Sequence, residues 1–292
     1  MSGAARASAI QIRRATPADA TACGRICYEA FAKINREHGF EPDMPSAEMA
    51  TGLLGLIFSR SEFYSVVAER EGGIIGSNCM DERSVIGGIG PLTIDPAAQN
   101  RGVGRSLMQA VLDRAAERRL PGVRLVQAAF HNRSLSLYTK IGFDAREPLS
   151  VLSGPPIRIR VEGASVRRAG IRDIEPANRI CEMVHGLSRA GELRDAVREG
   201  WAVVVERQGR ITGYATTFGY QGHAVGECNL DLQALIASAE TVTGPGIIVP
   251  TRNSELLRWC LERGLKIKMP LILMSIGLYN EPDGAYLPSI LY

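Results

Sequence analysis

Two blocks of this 292-residue chain each occur twice, in the same order, and that repetition constrains its fold more than any other feature. Ile12 to Cys27 reads IRRATPADATACGRIC, and Val166 to Cys181 reads VRRAGIRDIEPANRIC. At an offset of 154 they share Arg-Arg-Ala, one Asp and the closing Arg-Ile-Cys. The second pair is YSVVAEREGGIIG from Tyr64 and WAVVVERQGRITG from Trp201, at an offset of 137. The shorter offset means that the second half has lost residues between its blocks. Ser153-Gly154-Pro155-Pro156 resists helix and strand and suits a linker. A chain of this length has room for two domains, each large enough for its own core. The expected division is 1–153 and 160–292.

Within the first half, strands and helices alternate. A strand at Ile10–Arg13 leads into a helix announced by Thr16-Pro17-Ala18-Asp19, with Thr16 as N-cap and Pro17 in the first position. Phe63–Glu69 and Ile74–Cys79 flank Arg70-Glu71-Gly72-Gly73, a hairpin signature. Ile89–Asp95 reads as a strand stopped by Pro96. Arg105 to Arg119 carries Leu107, Met108, Val111, Leu112, Ala115 and Ala116 at helical period. Val123–Ala129 is a further strand, and Ser134–Ile141 a short helix stopped at Gly142, after which Phe143 opens a last strand. The class is mixed α/β, built twice.

Composition narrows the function. Hydrophobic residues make up 45% and charged residues 22%, an ordinary globular balance. A net charge of +3, with no Lys/Arg run interleaved with aromatics, argues against nucleic acid as a partner. The longest strongly apolar stretch, Met269 to Tyr279, is far short of the roughly 20 residues of a membrane span. MSGAARASAIQIRR at the start has no apolar core of signal-peptide length, so the expected address is cytoplasmic. Of the six cysteines, Cys23 and Cys27 lie four apart on an expected helix, while Cys79, Cys181, Cys228 and Cys260 are scattered. None forms a Cys-x-x-Cys pair or stands beside a histidine at zinc spacing, so they read as reduced core residues and no metal is expected.

Gln99-Asn100-Arg101-Gly102-Val103-Gly104 lies between a strand and a strong helix. There a run of free backbone N–H groups can wrap an anion, and the helix dipole reinforces it. An ordinary glycine turn is the bland alternative. Arg210-Ile211-Thr212-Gly213-Tyr214-Ala215 fits the same pattern inside a hairpin, with no helix to follow, so context has to decide.

Gly90-Pro91-Leu92-Thr93-Ile94-Asp95-Pro96, the QNRGVG loop and the helix from Arg105 together resemble the central motif of the GCN5-related N-acetyltransferases (GNAT). Asn132-Arg133-Ser134-Leu135-Ser136-Leu137-Tyr138-Thr139-Lys140-Ile141-Gly142-Phe143 resembles that family's second motif. The resemblance covers residues 10 to 150 and reaches the second half only through the repeat. It implies two tandem GNAT-like domains, each a mixed, mainly antiparallel sheet flanked by helices. The first would be intact and the second degenerate, in a single chain acting as its own pseudo-dimer.

The resemblance also implies roles. Leu92, Thr93 and Ile94 would pair with the pantetheine arm of acetyl-CoA. Gln99, Asn100, Arg101, Gly102, Val103, Gly104 and Arg105 would cradle the pyrophosphate. Asn132 would hold the pantetheine, and Tyr138 would face the sulfur as general acid toward the leaving thiolate. The bland readings are a helix N-cap for Asn132 and an aromatic packing residue for Tyr138. At the strand position where many relatives carry a glutamate base stands Gln127, and an amide is no base. Asp81, Glu82 and His131 are substitutes, each also readable as a surface residue. The acceptor would be the primary amine of a small molecule, amino acid or peptide. Phe31, His38, Phe40 and Met44 lie in the region that shapes its site.

Two other readings compete. A dinucleotide-dependent oxidoreductase would need a glycine where Leu107 stands and an acid after Val123–Ala129, and it has neither. A non-catalytic acetyl-CoA sensor would account for Gln127, but it has no use for Tyr138. No Gly-Lys dipeptide occurs, so a P-loop is excluded. In the second half no glycine loop precedes Leu230–Ile236, and Trp259 and Cys260 stand near where a second tyrosine would fall. That half is expected to bind no CoA of its own.

Overall fold

The computed structural model describes residues 9–291, so the reading that the opening residues 1–8 carry no signal-peptide core lies outside the described residues. In chain order the elements are β1 (Gln11–Arg14), α1 (Ala20–Glu37), α2 (Ala47–Ser59), β2 (Phe63–Arg70), β3 (Gly73–Asp81), β4 (Ile86–Ile89), β5 (Thr93–Ile94), α3 (Val103–Glu117), β6 (Gly122–Ala128), α4 (Asn132–Ile141) and β7 (Asp144–Ser153). After the linker come β8 (Ser165–Arg168), α5 (Ile174–His185), α6 (Ala190–Arg198), β9 (Val203–Arg207), β10 (Arg210–Ala215), β11 (Ala224–Gly226), α7 (Asn229–Ser238), β12 (Ile247–Pro250), α8 (Ser254–Glu262), β13 (Lys266–Gly277) and β14 (Ala285–Leu287). Residues 1–81 with 89–119 form one compact unit, and 82–88 with 120–292 form another.

In the first unit β1, β2 and β3 form an antiparallel ladder, and β5 pairs with β3 through Gly76↔Ile94 and Ser77↔Thr93. Helix α1 buries Cys23, Ile26 and Cys27 at helical spacing, and α3 buries Val103, Leu107, Met108 and Val111. Gly24 is the crossing point of α1 and α2: a Cβ there would stand 2.3 Å from Thr51 Oγ1.

The repeated sequence has a structural meaning. Arg13 forks onto both oxygens of Asp19 at 2.8 Å and also donates to Glu69 at 2.5 Å. Asp19 in turn accepts the backbone N–H of Thr16 at 2.8 Å, locking the 3-10 turn Pro17–Asp19 that starts α1. The later copy does the same with its matching residues. Arg167 forks onto Asp173 and donates to Glu206, while Asp173 accepts the N–H of Gly170 at 2.7 Å. The residues shared by the blocks are therefore the ones that tie the first strand, the helix start and the hairpin together.

In the second unit one sheet runs β4-β6-β13-β7-β12, with β4 parallel to β6 and the other pairs antiparallel. Strand β13, from the far end of the chain, is inserted between β6 and β7. Leu273 pairs with Val126 on one side and Glu147 on the other. A second antiparallel sheet runs β14-β11-β10-β9-β8. Its inner strands β9, β10 and β11 are buried on both faces. Val205 and Ala215 join a core with Leu232, Leu235 and Trp259, whereas Val204 and Tyr214 join one with Ala177, Cys181 and Leu193.

Two boundaries differ from the sequence expectation. The strand expected over Ile89–Asp95 is two short strands, β4 and β5, interrupted at residues 90–92, where Pro91 has no N–H to give a ladder. Leu92 lies in that break. Helix α3 starts at Val103, two residues early, because Gly102 is its N-cap. Gly104 is therefore a residue of the helix's first turn and not of the loop. No described helix is long and apolar enough to cross a membrane, and the apolar run from Met269 lies largely in β13.

Candidate functional site

The glycine loop belongs to the first unit. Gly102 caps α3 with φ +83°, a left-handed conformation that glycine adopts without strain, and Asn100 precedes it at φ +63°. A chain turned this way leaves the first N–H groups of α3, at Val103, Gly104 and Arg105, without partners inside the helix and aimed out of its positive end. Val103 is buried, so it can offer only its backbone, while Arg101, Gly102 and Arg105 are exposed. Gln99 spends its side-chain amide on the Ile94 carbonyl at 3.2 Å, which fixes the loop to β5. The arrangement gathers helix-end N–H groups beside two exposed arginines, a chemistry suited to an anion. Thr93 is buried, with its Oγ1 3.5 Å from Ser77 Oγ, so it also presents backbone.

The second motif belongs to the second unit. His131, not Asn132, holds the N-cap of α4, and Asn132 is the first, exposed residue of the helix. The N-cap alternative for Asn132 is thereby excluded. Tyr138 is buried, its ring 5.9 Å from that of Phe143, and Gly142 ends the helix at φ +112°. Burial pushes the Tyr138 hydroxyl up to about 12, with Ser134 pulling weakly the other way. Ser134 is also bonded to His131 Nδ1 at 2.8 Å, so one face of α4 carries a short polar line.

Gln127 is buried on β6, and neither its amide oxygen nor its nitrogen meets a hydrogen-bond partner. Asp81 ends β3 and Glu82 follows it, both half-buried. Sequence reasoning passed over Glu147 on β7. Its buried carboxylate takes Arg252 Nε at 2.6 Å and the Tyr286 hydroxyl at 3.4 Å on Oε2, while Oε1 meets no partner. Burial raises this carboxyl above its usual range against the pull of Arg252. Nothing in its strand pattern marks it, because an acid in a mixed-polarity strand ordinarily faces water.

The second half fills the corresponding place itself. At the start of α7, Asp231 accepts Arg207 Nε at 2.7 Å, Thr212 Oγ1 at 2.6 Å and the Cys228 N–H at 3.1 Å. A buried carboxylate thus occupies the positive end of the helix. The decoy hexapeptide from Arg210 is strand β10 throughout, and Asn253 caps α8 by accepting the Leu256 N–H.

The described cysteines are all free, five of them buried and Cys228 half-buried. Cys181 and His185 lie one turn apart on α5 and converge with His223, a grouping hidden because His223 comes 38 residues later.

A family model described as the acetyltransferase (GNAT) family matches residues 27–143. The chain is 44% identical over 63 residues to the mycothiol acetyltransferase of Nocardia farcinica. That match covers 22% of this chain and spans about a fifth, 21%, of the relative's length. Among solved structures, a Pyrococcus horikoshii protein provisionally described as an acetyltransferase superposes with a TM-score of 0.74 at 18% identity, covering 94% of each chain. A tandem GNAT protein from the clavulanic acid biosynthesis pathway superposes at 0.53 and 12% identity, covering 92% of this chain and 98% of that one. Residues 27–143 are thus similar to the acetyltransferase (GNAT) family, and the fold is the one seen in a tandem GNAT protein.

Proposed function

We propose that the protein is an N-acetyltransferase that moves the acetyl group of acetyl-CoA directly to a primary amine in a ternary complex. The observation that carries this reading is the start of α3, where left-handed Asn100 and Gly102 turn three N–H groups outward beside Arg101 and Arg105. Those donors would hold the pyrophosphate. The backbone of Leu92–Ile94 would pair with the pantetheine arm, and Asn132 would hold it through its amide. The amine nitrogen then attacks the thioester carbonyl, the C–S bond breaks, and the thiolate leaves toward the Tyr138 hydroxyl.

The proton given up by the amine needs a base. Asp81, Glu82 and His131 are all within the family-like region. Glu147 has the better chemistry, since a buried carboxyl raised by burial above its usual range, with one unengaged oxygen, is suited to accept a proton. The second half would bind no CoA, because Asp231 already fills and repels at the helix end where a diphosphate would sit.

The test is CoA release from acetyl-CoA against a panel of amines that includes amino acids, peptide termini and the acceptor named for the Nocardia relative. Turnover with at least one amine is the expected result. Tight acetyl-CoA binding with no CoA release across the panel would favour a sensor instead.

A further inference from the structure

In the second unit α5 directs Cys181 and His185 from one face into the interior, and His223 reaches them from the turn before β11. All three are completely buried. The two Nε2 atoms stand 3.3 Å apart, and the three donor atoms lie within 4.8 Å of one another. For metal–nitrogen bonds of about 2.0–2.1 Å at tetrahedral angles the N···N edge is about 3.3–3.4 Å, so the imidazole pair already has the spacing of two zinc ligands. The sulfur–nitrogen edge of such a site would be about 3.6 Å, inside the 4.8 Å within which the three donor atoms lie.

A fourth donor is at hand. Tyr214 is fully buried, and its hydroxyl is close enough to the Cys181 sulfur to perturb it while meeting no hydrogen-bond partner of good geometry. His223 Nδ1 is likewise buried without a partner. A dry imidazole–imidazole hydrogen bond would account for the 3.3 Å contact. It would not account for the thiol that converges on the same two imidazoles.

We propose that Cys181, His185 and His223, with Tyr214 as fourth donor, hold one zinc ion. A sulfur and two imidazoles suit zinc better than calcium or magnesium. The site is closed to solvent and therefore structural, pinning α5 to β10 and the turn before β11. On binding, the Cys181 thiol releases its proton to solvent and both imidazoles ligate in the neutral form. The charge nearest the ligands on α6's side, Arg189, opposes a cation but is paired with Glu192 at 2.5 Å. The thiolate offsets one of the ion's two charges, and the Tyr214 hydroxyl releases its proton on binding to offset the other.

The test uses the full-length chain, produced without a histidine tag in zinc-supplemented medium, dialysed, and analysed for metal by mass spectrometry. About one zinc per chain is expected, falling at least tenfold in Cys181→Ala combined with His223→Ala. Because that variant could fail to fold, the wild-type chain is also refolded from denaturant with Co2+ as probe. Visible bands of tetrahedral Co2+ and a near-ultraviolet thiolate charge-transfer band are expected, and Cys181→Ser alone should lose the latter. Wild-type protein that carries less than a tenth of an equivalent of zinc and develops no cobalt bands on refolding overturns the proposal. So does equal cobalt uptake, with the same spectrum, by the double variant.

Discussion

Removing the hydroxyl of Tyr138 is the most informative single change to the proposed chemistry. Burial pushes that phenol up to about 12, whereas a thiol such as that of CoA titrates near about 8.5. Complete proton transfer to the leaving thiolate would then run uphill by about 3.5 pK units, or about 5 kcal/mol at 1.36 kcal/mol per unit. Such a phenol helps chiefly by donating a charge-assisted hydrogen bond to the developing thiolate, worth about 1.5–3 kcal/mol. Tyr138→Phe keeps the ring and its packing on Phe143. It should lower kcat by roughly 10- to 100-fold and leave the KM for acetyl-CoA nearly unchanged, at about 1.4 kcal/mol per tenfold. The assay is initial-rate CoA release at saturating amine, followed from pH 7 to 10.5 for both proteins. Since the folded phenol stays protonated throughout that range, the wild type should show no falling limb near pH 10 that the variant lacks. An unchanged kcat would remove Tyr138 from the mechanism, and a falling limb near pH 10 abolished in the variant would refute the burial argument.

Gly104→Glu places a carboxylate in the first turn of α3, so acetyl-CoA binding by calorimetry should be lost with Tm little changed; retained micromolar binding would put the diphosphate elsewhere. Titration of the full chain with acetyl-CoA should give one site, and a stoichiometry of two would show that Asp231 does not close the second half to CoA. Glu147→Gln should depress kcat at least tenfold without weakening acetyl-CoA binding, measured by calorimetry beside the rate assay; an undiminished rate would return the base to Asp81, Glu82 or His131. Asp19, held down to about 2 from 3.8 by the Arg13 fork, contributes stability that is present above about pH 4 and lost as pH falls toward 2. The shift corresponds to about 2 kcal/mol, discounted to about 1 because the Arg13 side chain is 39% exposed. Urea unfolding should therefore separate Asp19→Asn from wild type at pH 7 and bring the two together near pH 2, whereas a constant gap would mean that the carboxylate's charge is not what matters.

Much of this was readable before any coordinates. The hairpin at Arg70–Gly73, the stop at Gly142 and the cap-like stretch at Thr16–Asp19 are local devices, and local devices leave their mark in a few adjacent residues. The glycine loop was readable for the same reason, although its second glycine turned out to lie inside the helix. The repeat exposed a shared design because the ion pairs Arg13–Asp19 and Arg167–Asp173 join residues six apart. What stayed hidden depends on partners far along the chain. The apolar run from Met269 says that the segment is buried but not that it lies between β6 and β7. Glu147 reads as solvent-facing until Arg252 and Tyr286 are placed beside it. His223 has no reason to be associated with Cys181 until β11 and α5 are packed together.

The position of β13 also governs how the molecule can be made and how it can be cut. Gly122–Ala128 and Asp144–Ser153 are near neighbours in sequence, yet the strand that joins them, Lys266–Gly277, is synthesised more than a hundred residues later. During synthesis β6 and β7 must wait as two unpaired edges until almost the whole chain exists, so closure of this sheet is a late, high-contact-order event. The proline-rich linker after Ser153 looks like the natural place to divide the protein. A cut there would remove the central strand of a sheet, and the two fragments would be expected to regain a native state only by reassembling with each other.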